Sequence, residues 1–420
     1  MDEGRKLDAH ISLALDIGMR MLVCGAQISR VEDSIGRICK ALGAVDTHVF
    51  SVTSGIIVTA FDANGNSATQ LRRIHSGSYD LARLQMLNQL SRDICSKHLT
   101  DQEITARLRA IDMQKKPRLW VLALAYALIS GVFSIFFGAN WTDGICAACT
   151  GVILCLLEYW IKKAGFDHVF AVFGVSFLVG LCNALLVMVG LGQNYDAISI
   201  GNIMLLIPGI AMTNAVHDMF VDDMLSGISR FFRSLVIAFI VTFGFTVAGM
   251  ILKTSGTPQM QLAFPWLQAM LQIITGALGS LGFALTFHVR GKMLVFAFLG
   301  GFLSWGMCCL SGFIGISHEA LQYLVAITVL TLYAELMARY LHCPSTILLV
   351  TGWIPLIPGG SLYRSINALV TGNFMDFVNR TLNTFLLMVA MSTGMLLAMT
   401  IIHLFSPLHH KSYKHKQTVK

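Results

Sequence analysis

The sequence predicts an all-α polytopic membrane protein of about ten transmembrane helices, arranged as a 5+5 inverted repeat behind a small N-terminal α+β soluble domain. Three observations predict it. First, 55% of the 420 residues are hydrophobic, only 13% are charged, and the mean hydropathy is +0.67. A soluble domain carries about 25% charged residues, so the chain has roughly half the usual charge. Second, the charge is uneven: residues 1–117 hold 15 Lys/Arg and 13 Asp/Glu, whereas residues 118–405 hold 11 and 10. Third, the helix-breaking tetrapeptide Leu-Ile-Pro-Gly occurs twice within apolar runs, in Leu205-Leu-Ile-Pro-Gly209 and Pro355-Leu-Ile-Pro-Gly359. Its prolines lie 358 − 208 = 150 residues apart. Four regions follow: a cytoplasmic α+β domain (1–117), a first five-helix half (118–255), a second half (256–405) and a basic cytoplasmic tail (406–420).

In the head, Leu7, Ile11, Leu15, Gly18 and Leu22 recur at helical spacing, and Gly25 is suited to end the helix. Ser29-Arg-Val-Glu32 has the form of a capping box opening a second helix that stops at Gly43. β-rich stretches follow at 47–53, 56–61 and 67–74, with hairpin chemistry at Asp62-Ala-Asn-Gly65. Leu81, Leu84, Leu87, Leu90 and Ile94 mark a third helix, and Thr100-Asp-Gln-Glu103 caps a fourth. Arg30, Glu32 and Asp33 cluster beside Ser29, yet the chain has no GxSxG, phosphate loop or zinc spacing. The head is therefore expected to regulate or gate, and no enzyme activity is expected.

A bilayer crossing needs about 20 apolar residues. Ten segments qualify: 119–138, 144–161, 169–191, 201–220, 231–252, 264–287, 293–316, 320–341, 346–369 and 382–405. The fourth and ninth carry the breaks, so the segments divide five and five. An odd number per half makes the second half enter from the opposite face, the inverted architecture of many secondary transporters. With the head cytoplasmic, inner loops hold Lys162, Lys163, Arg230, Arg233, Arg290, Lys292 and Arg339, against Lys253, Arg364 and Arg380 outside. The positive-inside rule then puts both termini in the cytoplasm of an inner, cytoplasmic membrane. The start has acids where a signal peptide has bases, so no cleaved signal is expected. The net charge of +7 reflects cytoplasmic loops and is no indication of nucleic acid.

Backbone freed by Pro208-Gly209 and Pro358-Gly359 cannot face lipid, where each unsatisfied group costs several kcal/mol. It must be buried or line a wet cavity, and the half-helix after each break aims partial positive charge there. On those half-helices Thr213, Asn214, Ser361, Tyr363 and Asn367 offer hydrogen bonds, and Arg364 offers a bidentate carboxylate contact. Asp218 and Glu335 are the intramembrane acids suited to proton coupling. Glu335 and Arg339 can pair four apart on one helical face. Of the ten cysteines, Cys146-Ala-Ala-Cys149 has metal-ligand spacing without a second ligand pair, so no metal and no cofactor is expected.

Several stretches resemble the threonine/serine exporter family. GAQISRVEDSI (25–35), VFSVTSGIIVTAF (49–61) and SGISRFF (226–232) resemble its N-terminal half. YAELMARYLHCPSTILLVTGWIPLIPGGSLYRSI (333–366) resembles its C-terminal half, here fused in one chain. The resemblance implies an exporter of threonine and serine driven by the proton-motive force. Related proteins with the halves on two chains imply a dicarboxylate alternative, notably succinate. His217-Asp218 stands where the family pattern favours Arg-Asp. Expected partners are an amino acid or small carboxylate, protons and the lipid bilayer; a homo-oligomer is left open. A sensor or enzyme acting through the head, and a channel, are the rival classes.

Overall fold

The computed structural model describes residues 3–405 apart from 75, 76, 78, 98, 115, 116 and 253–263; the tail 406–420 lies outside the described residues. It divides into two compact units, residues 1–118 with 287–290, and the remainder.

The first unit contains α1 (Glu3–Val23), α2 (Ile28–Ala41), β1 (Asp46–Val52), β2 (Gly55–Phe61), β3 (Ser67–Arg73), α3 (Leu81–Lys97) and α4 (Asp101–Asp112). The strands form an antiparallel meander, with Phe50 opposite Ile57 and Ile57 opposite Leu71. Asp62 Oδ1 accepts the amides of Asn64 and Asn66 at 2.9 and 2.8 Å, and Gly65 adopts φ +83°, closing the second hairpin. One sheet face buries Ile56, Val58 and Ala60 against α1 and α2. Thr100 and Glu103 form both bonds of the expected capping box. The box at Ser29 does not form: α2 starts behind Gln27, and Ser29 lies inside its first turn. The Glu32 carboxylate instead accepts the Ser51 amide at 2.7 Å, tying α2 to β1.

The second unit contains α5 (Leu119–Phe136), α6 (Trp141–Ala164), α7 (His168–Met188), α8 (Tyr195–Leu206), α9 (Gly209–Phe220) and α10 (Met224–Ile251). After the undescribed connection come α11 (Pro265–Thr286), α12 (Met293–Phe313), α13 (Glu319–Leu341), α14 (Ser345–Gly352), α15 (Gly359–Val370) and α16 (Phe374–Phe405). Among the described residues eight helices are long and apolar enough to cross a membrane, and counting each bent pair as one span gives ten. The pairs are α8–α9, bent by 56°, and α14–α15, bent by 43° through a 3-10 turn at Ile354–Leu356.

The largest differences from the hydropathy boundaries are at α10 and α16. α10 and α16 begin seven or eight residues before their apolar runs, which places Arg230 and Arg380 on helices. The ion pair Asp376–Arg380, at 2.8 Å and four residues apart, supports the early turn of α16 that hydropathy misses.

Packing recurs between the halves. α5 packs on α6 and α8, α7 on α10, and α9 on α10 and α16. Likewise α11 packs on α12 and α14, α13 on α16, and α15 on α16 and α10. Close approaches recur at the same 150-residue offset (280 − 130, 301 − 151). A Cβ on Gly151 would lie 2.6 Å from Ser130 Oγ, and one on Gly301 would strike the Ser280 side chain. Ends that lie together define two sides of this unit. On the distal side α5, α7 and α15 finish while α6, α8, α11, α13 and α16 begin.

Candidate functional site

The two breaks are geometric twins. Ile207 and Ile357 are extended, and Pro208 and Pro358 have φ/ψ of −78°/52° and −77°/44°. Each following helix restarts with the same bonds: Met212 N–H donates to Pro208 O and Leu362 N–H to Pro358 O, both at 3.0 Å. Proline cannot donate to the preceding turn, so the chain must leave one helix and nucleate another.

The breaks lie against each other. A Cβ on Gly209 would strike Ile357, and one on Gly359 would sit 3.0 Å from Met204 Sδ. The space at their crossing, bordered by Gly209, Ile357 and Gly359, is about 10 Å³. That is about one water, so the crossing is a closed seam.

On the distal side of the seam lie two larger cavities. One, of about 740 Å³, is bordered by Pro358, Gly360, Ser361, Arg364, Glu319 and Arg380. The other, of about 400 Å³, is bordered by Asp196, Tyr363, Arg364, Asn367, Asp376 and Arg380. Phe137, Arg364 and Arg380 border both. The Arg364 guanidinium carbon lies 5.9 Å from the centre of the Phe137 ring. It makes no ion pair within 4 Å among the described residues. Asp196 attracts it from beyond that distance, and its planar fork is left to take an anionic ligand from the cavities. Arg380 is compensated by Asp376, whereas Asp196 accepts the Tyr363 hydroxyl at 3.3 Å.

The expected site residues separate into groups. Pro358, Ser361, Tyr363, Arg364 and Asn367 border the cavities, and Gly359 borders the seam. Ser361 shares a 2.8 Å hydrogen bond with Thr384, and Asn367 accepts from Thr246 at 2.8 Å. From the first half Gly209 and Met212 border the seam; Pro208, Thr213 and Asn214 border neither large cavity. Thr213 is fully buried and donates to Gly209 O at 3.1 Å. Asp218 lies near the far end of α9, 3.0 Å from Arg230, with its side chain only 5% exposed. Glu335 accepts a short hydrogen bond from Ser345 across the α13–α14 turn. Both acids are remote from the cavity linings. Sequence reasoning missed Asp196, Phe137 and Glu319, which sit at the distal ends of helices. The signal for Asp196 was its position just inside Asn194, a capping residue opening the first broken helix. Cys146 is buried and Cys149 exposed on α6, and neither is part of a group of metal-binding side chains among the described residues.

The comparisons agree with this architecture. A family model described as "Putative threonine/serine exporter" matches residues 12–252, and one described as "Threonine/Serine exporter, ThrE" matches residues 272–401. The "Threonine/serine exporter" of Corynebacterium glutamicum is 21% identical over 401 residues, covering 88% of this chain and 78% of the relative. The "Probable threonine/serine exporter" of Mycobacterium tuberculosis is 24% identical over 396 residues, covering 88% and 72%. The "Probable succinate transporter subunit YjjP" of Escherichia coli is 22% identical over 220 residues, covering 52% and 85%. No solved structure matches. With a matched model spanning more than half of it, the chain is a multi-pass membrane protein that belongs to the threonine/serine exporter family.

Proposed function

We propose that the protein is a secondary exporter of threonine and serine, with its distal cavities facing the outside of the cytoplasmic membrane and both termini inside. The observation that carries this reading is Arg364: a guanidinium without an ion pair among the described residues, beside the second helix break and shared by two cavities. It receives the substrate carboxylate. The recurrent packing and the twin breaks support an inverted repeat, with the site at the junction of its halves. The proton-motive force drives the cycle, because the sequence holds no phosphate loop and the intramembrane acid Asp218 lies against Arg230.

A dicarboxylate is the second reading, favoured by Arg380 bordering the same cavities and by the likeness to the YjjP subunit. Asp376 neutralises Arg380, and Asp196 adds a second acid to the smaller cavity, so the linings suit a zwitterion better than a dianion. Counterflow in proteoliposomes with labelled threonine, serine and succinate separates the readings. Threonine and serine are expected to exchange, and to lose net efflux when a protonophore collapses the gradient. Exchange of succinate alone replaces this reading with the dicarboxylate one.

A further inference from the structure

We propose that Asp196, oriented by the Tyr363 hydroxyl, binds the ammonium group of the substrate and makes the site select α-amino acids over carboxylates that lack the amine. The inference rests on the amino-acid reading above and adds a residue to it. Asp196 occupies the first turn of α8 and borders the 400 Å³ cavity together with Arg364, whose charge it feels from beyond ion-pair distance. That volume lies within the range of small-molecule sites, about 300–1,000 Å³. Among the described residues no cation lies within 4 Å of its carboxylate; its hydrogen bond comes from Tyr363, at 3.3 Å. Tyr363 directly precedes Arg364 in α15, so one helical turn carries both the group that orients the anion and the group that receives the carboxylate.

An α-amino acid presents a carboxylate and an ammonium on adjacent atoms. Placed between Arg364 and Asp196, it supplies each with an opposite charge in one step. A ligand without the amine offers Asp196 no cationic donor, and a site built to receive an N–H discriminates strongly against its absence. Asp218, an intramembrane acid that the sequence did single out, is paired with Arg230 and borders neither cavity. A purely structural role for Asp196, complementing the start of α8, would change the uptake of every substrate alike.

The test compares threonine with 3-hydroxybutyrate, which is threonine without its amino group, in proteoliposome counterflow. Wild-type protein is expected to prefer threonine. In Asp196→Asn the threonine to 3-hydroxybutyrate ratio is expected to fall at least about tenfold, with 3-hydroxybutyrate uptake retained. Asp196→Glu is expected to restore part of the preference, and Tyr363→Phe to lower it less than Asp196→Asn does. If Asp196→Asn does not reach the membrane, the same ratio is read from Tyr363→Phe. A ratio within twofold of wild type, whether or not total uptake falls, overturns the proposal. Wild-type protein that exchanges succinate but not threonine overturns the underlying reading instead, so the two failures are distinct.

Discussion

Arg364 sits one turn into a helix that begins at a proline, and that position explains its accessibility. The break at Pro358 turns α15 so that the Arg364 side chain meets cavities on the distal side, with Phe137 beside it. A bidentate charge-assisted contact to a carboxylate contributes about 1.5–3 kcal/mol, or roughly 10- to 100-fold in affinity. Arg364→Gln is therefore expected to weaken threonine half-saturation in counterflow by at least tenfold. Arg364→Lys, which keeps the charge but loses the fork, is expected to fall between. A Gln variant with unchanged half-saturation would remove Arg364 from the site. At this scale the sequence was partly legible. Arg364 could be found because it follows a Pro-Gly break in an apolar run. For Asp196 the Asn194 cap marks only a helix start, because its partner Tyr363 is 363 − 196 = 167 residues away and only folding joins them. Ser29 and Thr100 begin the same four-residue capping pattern, and only Thr100 caps. Near Ser29, Glu32 has a better acceptor role toward Ser51, a tertiary bond that local pattern cannot reveal.

The helices themselves were legible from hydropathy, and both broken spans from proline, because apolar length and a missing donor are local properties. Helix starts that carry charge were not, as α10 and α16 show: an ion pair or a cap extends a helix beyond its apolar run. The recurrent Gly–Ser approaches were equally hidden, since a single small residue stands out only when its neighbour is known. The first unit also takes in residues that hydropathy placed at the end of the sixth segment and in the loop after it. Residues 287–290, which join α11 to α12, belong to that unit's compact cluster. The Leu81 amide donates to Phe287 O at 3.0 Å, the rings of Tyr79 and Phe287 lie 5.5 Å apart, and His288 Nδ1 is 3.0 Å from Asp80. Burial alone would raise the Asp80 carboxyl, but hydrogen bonds from His288 and the Arg83 amide hold it below the ordinary value of 3.8. A lowered carboxylate stabilises the folded arrangement above its unfolded pKa, and that contribution is lost as pH falls through the lower folded value. Asp80→Asn is expected to speed amide hydrogen exchange across 287–290 in the full-length protein at neutral pH. Wild-type protein should lose the Asp80 contribution only when acidified below 3.8. Equal exchange in the variant and wild type would show that the Asp80 carboxylate does not hold this connection.

At the scale of the whole membrane unit, the two ends of the site are unequal in a way that implies a cycle. The distal cavities are open, the seam between the breaks is closed, and near the far end of α9 Asp218 is paired with Arg230. Arg230 and Arg380 are separated by the repeat offset (380 − 230 = 150), yet Arg380 borders open space while Arg230 is only 18% exposed. If the halves exchange these roles, the arrangement described is one of two, and transport alternates between them. A ligand shifts such an equilibrium only if it binds the two states unequally. Two positions report it: Asn383, bordering the larger distal cavity, and Ser226, 1% exposed near Arg230. Each is replaced with cysteine, and the purified full-length protein is treated with a small maleimide in detergent, where the reagent reaches both ends. Site-resolved mass spectrometry then separates the engineered thiols from Cys95 and Cys149, which are also exposed. Asn383→Cys is expected to react readily and Ser226→Cys slowly. Saturating threonine is expected to move the two rates in opposite directions, because opening at one end accompanies closure at the other. Rates that rise and fall together, or a Ser226→Cys thiol that reacts as fast as Asn383→Cys from the start, would describe a continuous pore and replace alternating access with a channel.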